Sequence, residues 1–302
     1  MARLEQRFKA MGGPGRICID HSDESLSRVA AEAALAEIQR LETRYSRYRS
    51  DSLLSRINRC AGSEAVPIDA ETAALLQYAD TLWQQSDGKF DPTSGVLRHA
   101  WDFKSNELPT QEAIDALLGK IGWQMVQWNE TEAYLPLAGM ELDLGGCVKE
   151  YAVDAAAAIL RNHGVVHALV DLAGDIATCG PQRSGAPWSI GIRNPGSKTD
   201  ALAYLELSGQ SLASSGDYER YMEINGQRYA HILNPHSGWP ISGLRAVSVS
   251  APQCLVAGSS ATLAMLKPEL EALEWLAQLG LPWLAVDQKG DLYSAEHRFD
   301  PL

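Results

Sequence analysis

The sequence has no Cys-x-x-Cys pair, no low-complexity stretch and no long apolar run, and each absence removes a class of protein. The five cysteines, Cys18, Cys60, Cys147, Cys179 and Cys254, are odd in number and far apart. That spacing suits neither a zinc site nor the disulfide framework of a small secreted domain. No segment approaches the ~20 apolar residues needed to span a bilayer, so membrane insertion is not expected. Residues 1–10 are charged and carry no apolar signal core, which points to a cytoplasmic protein with reduced thiols. Positive charge is scarce: 26 Lys and Arg face 38 Asp and Glu, a formal net charge of -12. Such a surface repels phosphate backbones, so no nucleic-acid partner is expected. A small anionic ligand would need a local pocket of basic side chains or backbone N–H groups. Neither the Rossmann G-x-G-x-x-G nor the Walker G-x-x-x-x-G-K-[ST] pattern occurs, so a nucleotide site would be of another kind.

What is present is a chain of 302 residues, 45% hydrophobic, ample for a real core. A strand is expected at 16–21. Ala34, Ile38, Leu41, Tyr45 and Tyr48 recur at helical spacing and predict a helix over 23–48. Asp69 is a good N-cap for a second helix, with the stripe Leu75, Leu76, Ala79, Leu82, Trp83 and a stop at Gly88. A third helix is expected at 110–118, and a hairpin at 123–137 turning near Asn129. A fourth helix at 148–162 leads into an apolar strand at 165–172. Asn225-Gly226 is a strong hairpin signal inside 221–232. A strand at 245–251, a helix pair over 255–279 and a last hairpin at Lys289-Gly290 complete the pattern. Helices and antiparallel hairpins in separate runs indicate an α+β fold rather than a doubly wound sheet. No linker divides the chain, so residues 1–302 read as a single domain.

Between the apolar elements lie glycine-bearing turns: Met11-Gly12-Gly13, the run 87–95, Leu144-Gly145-Gly146-Cys147-Val148-Lys149, Ala173-Gly174-Asp175, Ser214-Ser215-Gly216-Asp217-Tyr218 and the run 231–238. Gly145-Gly146 stands just ahead of the fourth helix, where N–H groups and the helix dipole favour an anion such as a pyrophosphate. Lys149, in the first turn, would add a positive charge. Taken one at a time, these are ordinary turns. His231 and His236 do not make a metal site without further ligands. Tyr45, Tyr48, Trp83 and Trp101 could stack on a flavin ring or belong to the core.

Taken together and in order, the segments MGG, SRYRSDSLLSRIN, DGKFDPTSGVLRHAW, LDLGGCVKEYAVD, LVDLAGD, SSGDYER, HILNPHSG and AGSSAT resemble the ApbE family of flavin transferases. The resemblance implies a T-fold-like α+β architecture with two interleaved subdomains and FAD in the groove between them. It implies transfer of FMN from FAD to a threonine or serine hydroxyl of a flavin-acceptor protein, with release of AMP. The FAD contacts it implies are Met11, Tyr48, Asp91, Lys149, Asp154, Ser215 and Gly216, and the catalytic base it implies is His231. It further implies a divalent metal, normally magnesium, held by Thr262 and the backbone carbonyl of Val148 together with an aspartate one helical turn before the threonine.

That aspartate position is Gly258. A magnesium site prefers an anionic oxygen, and glycine offers none. Two smaller departures are Ala173 and Glu150, both at positions where the family usually has glycine; Glu150 would set a negative charge beside Lys149. An aspartate at 258 should face Thr262, and glycine's helix penalty suggests that placing one there costs no backbone stability. Three functions are compatible with these residues: an FMN transferase, an FAD binder without transfer activity, and an FAD pyrophosphatase giving FMN and AMP. In each the chain should bind FAD more tightly than FMN, because the implied contacts surround a site of pyrophosphate length. Titration by flavin fluorescence checks this, and equal affinity for the two flavins would exclude it.

Overall fold

Leu4, Gln6, Phe8 and Ala10 turn inward while Glu5, Arg7 and Lys9 turn to solvent, and this two-residue period makes strand β1 (Leu4–Ala10). The computed structural model describes residues 3–197, 200–218, 220–295 and 299–301. The sequence pattern does not predict β1, because its charged outer face masks the alternation. A two-residue turn, Met11 at φ 50° and Gly12 at φ 80°, joins it to β2 (Gly13–Ile19). Two successive positive φ values give a turn whose twist matches the strands it connects.

Helix α1 (Glu24–Tyr45) starts where Asp23 accepts the N–H of Leu26, and it buries Ala30, Ala34, Ile38, Leu41 and Tyr45. It ends earlier than its stripe suggests because Ser46 is extended, which leaves Tyr48 outside the helix. Helix α2 (Leu53–Arg59), capped by Ser52, is too short to show a stripe and has no counterpart in the sequence pattern. Strand β3 (Val66–Pro67) precedes α3 (Ala70–Gln85), which Asp69 caps as expected. Helix α4 (Gln111–Leu118) and the hairpin of β4 (Gln127–Trp128) and β5 (Glu132–Tyr134) also lie where the pattern puts them. Helix α5 (Val148–Asn162) matches its expected bounds.

The strands after α5 are β6 (Ala168–Leu172), β7 (Asp175–Thr178), β8 (Trp188–Arg193), β9 (Ala201–Leu207) and β10 (Ser211–Gly216). The hairpin of β11 (Tyr221–Ile224) and β12 (Gln227–Ala230) turns at Asn225-Gly226. Strand β13 (Ala246–Ala251), helices α6 (Cys254–Met265) and α7 (Glu269–Gln278), then β14 (Trp283–Val286), β15 (Leu292–Ser294) and β16 (Asp300–Pro301) complete the chain.

The central sheet has eight strands in the order β1-β2-β6-β7-β10-β13-β14-β15, with every pairing antiparallel. Alternate residues of its strands therefore serve two cores. Ile17, Val170, Ala177 and Ala213 point to the face covered by α1, α5 and α6. Cys18, Leu169, Ile176 and Leu212 point to the other face, against Trp188, Ile190, Leu205 and Leu207 of the small β16-β9-β8 sheet. The layers are thus helix, large sheet and small sheet, an α+β fold as the sequence indicates.

Two hairpin tips of the large sheet touch. Strands β6 and β7 are joined by Ala173 at φ 55° and Gly174 at φ 95°. A Cβ on Gly13 would lie 2.5 Å from the Cβ of Ala173, so this tip meets the β1–β2 tip through a glycine. Ala173 itself occupies a left-handed conformation that costs a non-glycine residue ~1–2 kcal/mol. Ala173→Gly should therefore stabilise the protein by ~0.5–1 kcal/mol, read as a higher urea midpoint at unchanged slope. A lower midpoint would show that the Ala173 methyl contributes more by contact than it costs in conformation.

Candidate functional site

Two strained tips, one helix end and one strand end meet on one side of the large sheet. At the first tip the N–H of Met11 donates to Glu42 Oε1 at 2.6 Å, which fixes the turn onto α1. The nearest group to a Cβ built on Gly12 is Arg220 Nη2, at 3.7 Å. The carbonyl of Arg220 accepts from His231 Nδ1 at 3.1 Å and from the His231 N–H at 3.0 Å. A carbonyl only accepts, so Nδ1 carries the ring proton and the basic lone pair of neutral His231 is on Nε2. The ring is exposed.

The second tip leads to the charged centre. Asp175, 2% exposed at the start of β7, pairs with Lys149 Nζ at 2.8 Å. Lys149 and Glu150 belong to the first turn of α5, whose N-cap Cys147 gives no side-chain cap. Ahead of it the N–H of Gly145 donates to Asp143 Oδ1 at 2.9 Å, and Arg47 pairs with Asp143 Oδ2. Glycine at 146 allows the loop to close on Phe90, whose Cε2 would be 2.8 Å from a Cβ there.

Helix α6 forms the inner wall. Ser215 of β10 and Thr262 of α6 share a hydrogen bond at 3.0 Å. Asp154 of α5 accepts the N–H groups of Cys254 at 2.8 Å and Leu255 at 2.9 Å, and so caps α6 from outside. Burial pushes the Asp154 carboxyl up, against the pull of those two N–H groups. Glu150 is 6% exposed, and its Oε2 has no hydrogen-bond partner among the described residues. Burial first, and then the charge of Asp175, pushes its carboxyl up to about 7.

From sequence an aspartate at 258 is expected to face Thr262 and to cost no backbone stability, an expectation that leaves out the neighbouring helix. In the structure a Cβ at 258 would lie 2.5 Å from Glu150 Cγ and 2.8 Å from Glu150 Oε1. The place is filled, and what fills it is another carboxylate.

The sequence-derived residues divide into two groups. Met11, Lys149, Ser215, Thr262 and His231 lie on these tips and walls, with Gly216 at the end of β10 and Val148 opening α5. Asp91 and Asp154 are occupied within the fold. Asp91 accepts from the Thr93 N–H at 2.7 Å, the Thr93 hydroxyl at 2.5 Å and the Trp123 N–H at 3.0 Å. Of the candidate stacking rings, Tyr45 is 5% and Trp101 3% exposed, and Trp83 packs against the main core. Trp101 stacks on Phe103 and donates to the Gly238 carbonyl at 2.8 Å. Tyr48 is 73% exposed, with Arg47 donating to its hydroxyl at 3.0 Å. Arg220 and the Arg47–Asp143 pair do not stand out in the sequence, although all three lie within the segments that carry the resemblance. Glu219 of the same segment lies outside the described residues.

Among the described residues no three His, Cys, Asp or Glu side chains come together as a ready metal site. The donors that do lie here are oxygens: hydroxyls on Ser215 and Thr262 and the unpartnered Glu150 Oε2. Such a set fits a hard cation that keeps several waters rather than zinc. Among the described residues no helix is long and apolar enough to cross a membrane.

A model described as the ApbE family matches residues 11–284. The FAD:protein FMN transferase of Escherichia coli K12 is 29% identical over 296 residues, 94% of this chain and 84% of that one. The FAD:protein FMN transferase of Treponema pallidum is 32% identical over 307 residues, 90% of this chain and 85% of its own length. Among solved structures, the ApbE protein of Thermotoga maritima superposes with a TM-score of 0.89 at 30% identity, covering 98% of this chain and 97% of that one. The apo form of the Pseudomonas stutzeri flavinyl transferase gives 0.87 at 28% identity, covering 98% and 95%.

Substitution at 258 sets two effects of opposite sign against each other. Helix propensity alone predicts that Gly258→Ala gains ~1 kcal/mol. Contact with Glu150 predicts a loss of ~1–3 kcal/mol from overpacking, and that is the expected result. Urea denaturation decides between them, and a raised midpoint would mean that Glu150 swings aside freely.

Proposed function

The chain belongs to the ApbE family, and from that premise we infer that it is an FAD:protein FMN transferase, moving FMN from FAD onto a threonine or serine hydroxyl of a target protein and releasing AMP. The observation that carries the assignment of roles is the meeting of the Met11-Gly12 and Ala173-Gly174 tips beside Lys149 and Asp175, with His231 held by the carbonyl of Arg220, whose guanidinium lies beside Gly12.

The acceptor hydroxyl attacks the FMN-side phosphorus of FAD. A new phosphorus–oxygen bond forms, the bond to the bridging oxygen breaks, and AMP leaves with that electron pair. His231 Nε2 takes the hydroxyl proton, since the Arg220 carbonyl holds the other ring nitrogen protonated. The first turn of α5 and Lys149 face the pyrophosphate, the anion that a helix N-terminus favours. Met11, Ser215 and Gly216 line the ligand, and the exposed Tyr48 ring offers a face to the flavin. Asp91 and Asp154 act at one remove: Asp91 fixes the 92–99 turn and Asp154 fixes the start of α6.

A divalent cation such as magnesium, when bound, neutralises phosphate charge. Thr262 and the Val148 carbonyl are the residues we assign to it, and the oxygen-only donor set supports that choice. Residues 1–302 act as one domain in this reading. The five free thiols suit the reducing cytoplasm, and the net charge of -12 gives no support to a nucleic-acid partner.

Incubating the protein with FAD, magnesium and a flavin-acceptor protein should add one FMN to the acceptor, read by mass. His231→Ala should keep FAD binding and lower the transfer rate ~10²–10⁴-fold, the usual range for losing a general base. An unchanged rate would remove His231 from the chemistry, whereas loss of folding would make it a structural residue.

A further inference from the structure

Glu150 and Gly258 look like two unrelated departures in the sequence, a charge that repels phosphate and a ligand that is missing. The structure makes them one. The side chain of Glu150 crosses from α5 to α6 and lies where a side chain on residue 258 would begin, 2.5 Å from a Cβ there to Glu150 Cγ and 2.8 Å to its Oε1. Glycine at 258 is what gives Glu150 room. We propose that Glu150 is the anionic ligand of a divalent cation at this site, delivering from α5 the carboxylate that α6 lacks.

Three further observations support the assignment, which rests on the FMN-transfer reading of the site. First, Glu150 is 6% exposed, yet its Oε2 has no hydrogen-bond partner among the described residues. A buried carboxylate oxygen left unpaired is costly, and a hard cation is a group that would satisfy it. Second, the charges do not balance locally. Asp175 and Asp154 add negative charge around Glu150, and Lys149, whose charge also reaches Glu150, is already paired with Asp175 at 2.8 Å. Third, residue 258 lies one turn before Thr262 on α6, so groups at the two positions share a face about 5–6 Å apart. The Thr262 hydroxyl, bonded to Ser215 at 3.0 Å, is the neutral oxygen on that face.

Mn²⁺ serves as the probe, because its binding is read from the loss of the free-ion resonance without any turnover. Full-length wild type, Glu150→Gln and the exchange variant Glu150→Gly/Gly258→Asp are titrated in parallel. Glu150→Gln keeps the shape of the side chain and removes its charge. It should weaken Mn²⁺ at least ~10-fold while FAD binding in metal-free buffer, read by flavin fluorescence, stays within about threefold of wild type. The exchange variant moves the carboxylate to α6 and should recover most of the Mn²⁺ affinity. Equal Mn²⁺ affinity for wild type and Glu150→Gln, or no binding to wild type, would overturn the proposal and leave Glu150 as a neutral filler. If the exchange variant does not fold, Glu150→Gln still decides. Failure of the transfer reading is separately visible: a wild type that binds Mn²⁺ through Glu150 but neither binds FAD nor flavinylates an acceptor sinks that reading and leaves the metal assignment standing.

Discussion

The close approach of α5 to α6 is the constraint on which the rest of the site depends. Helix α6 is buried on nearly every side, and apart from Cys254, Leu263 and Met265 its buried residues are small: Ala257, Gly258, Ser259, Ser260, Ala261 and Ala264. Small residues let it lie against β10 and β13 and against α5 at once. The helices are also joined end to side, because the Asp154 carboxylate satisfies the first N–H groups of α6. Those N–H groups have no partner within their own helix, and burying them unpaired would be costly. One contact therefore sets both the axial position of α6 and the depth at which Thr262 and Ser215 meet.

A second constraint runs through the hairpin tips. Met11 and Ala173 hold positive φ without being glycine, and they sit at neighbouring tips, separated only by the glycine at 13. Conformational strain of this kind survives where surrounding contacts over-determine it. Here the contacts are the Met11 N–H bond to Glu42 and the anchoring of Gly174 N–H on Asp171 Oδ1 at 3.0 Å. The result is a pair of turns held rigid beside the Lys149–Asp175 pair. A site that must align a hydroxyl with a phosphorus gains from such rigidity, because positioning accounts for much of the rate in phosphoryl transfer.

Most of the fold is legible in the sequence because long elements carry long patterns. Helix α5 shows its stripe over its whole length, and Asp69 and Asn225-Gly226 announce their cap and turn by local chemistry alone. Strand β1 is hidden, because a strand whose outer face is Glu5, Arg7 and Lys9 reads as a charged tail until its partner is known. The α2 helix is shorter than the pattern that would reveal it. At the site, glycine-rich order leads to the segments that meet around Lys149 and Asp175, but not to which side chains occupy which space. Asp91 and Asp154 are conspicuous in sequence, yet both satisfy backbone N–H groups. That distinction depends on partners far away in the chain, and no local pattern encodes it.

The same long-range blindness explains Glu150. In sequence its neighbour is Lys149, and a carboxylate next to a phosphate-facing lysine looks like a defect. In space the two side chains diverge: Lys149 turns to Asp175, and Glu150 turns inward to Gly258. A helix separates successive side chains by about 100°, so adjacent residues face different surroundings. Asp175 stands between the two: it pairs with Lys149, and it adds, with Asp154, to the negative charge around Glu150, which Lys149 offsets only in part. Glycine at 258 is thus what lets the Glu150 side chain cross the interface between the two helices, since a Cβ there would lie 2.5 Å from Glu150 Cγ.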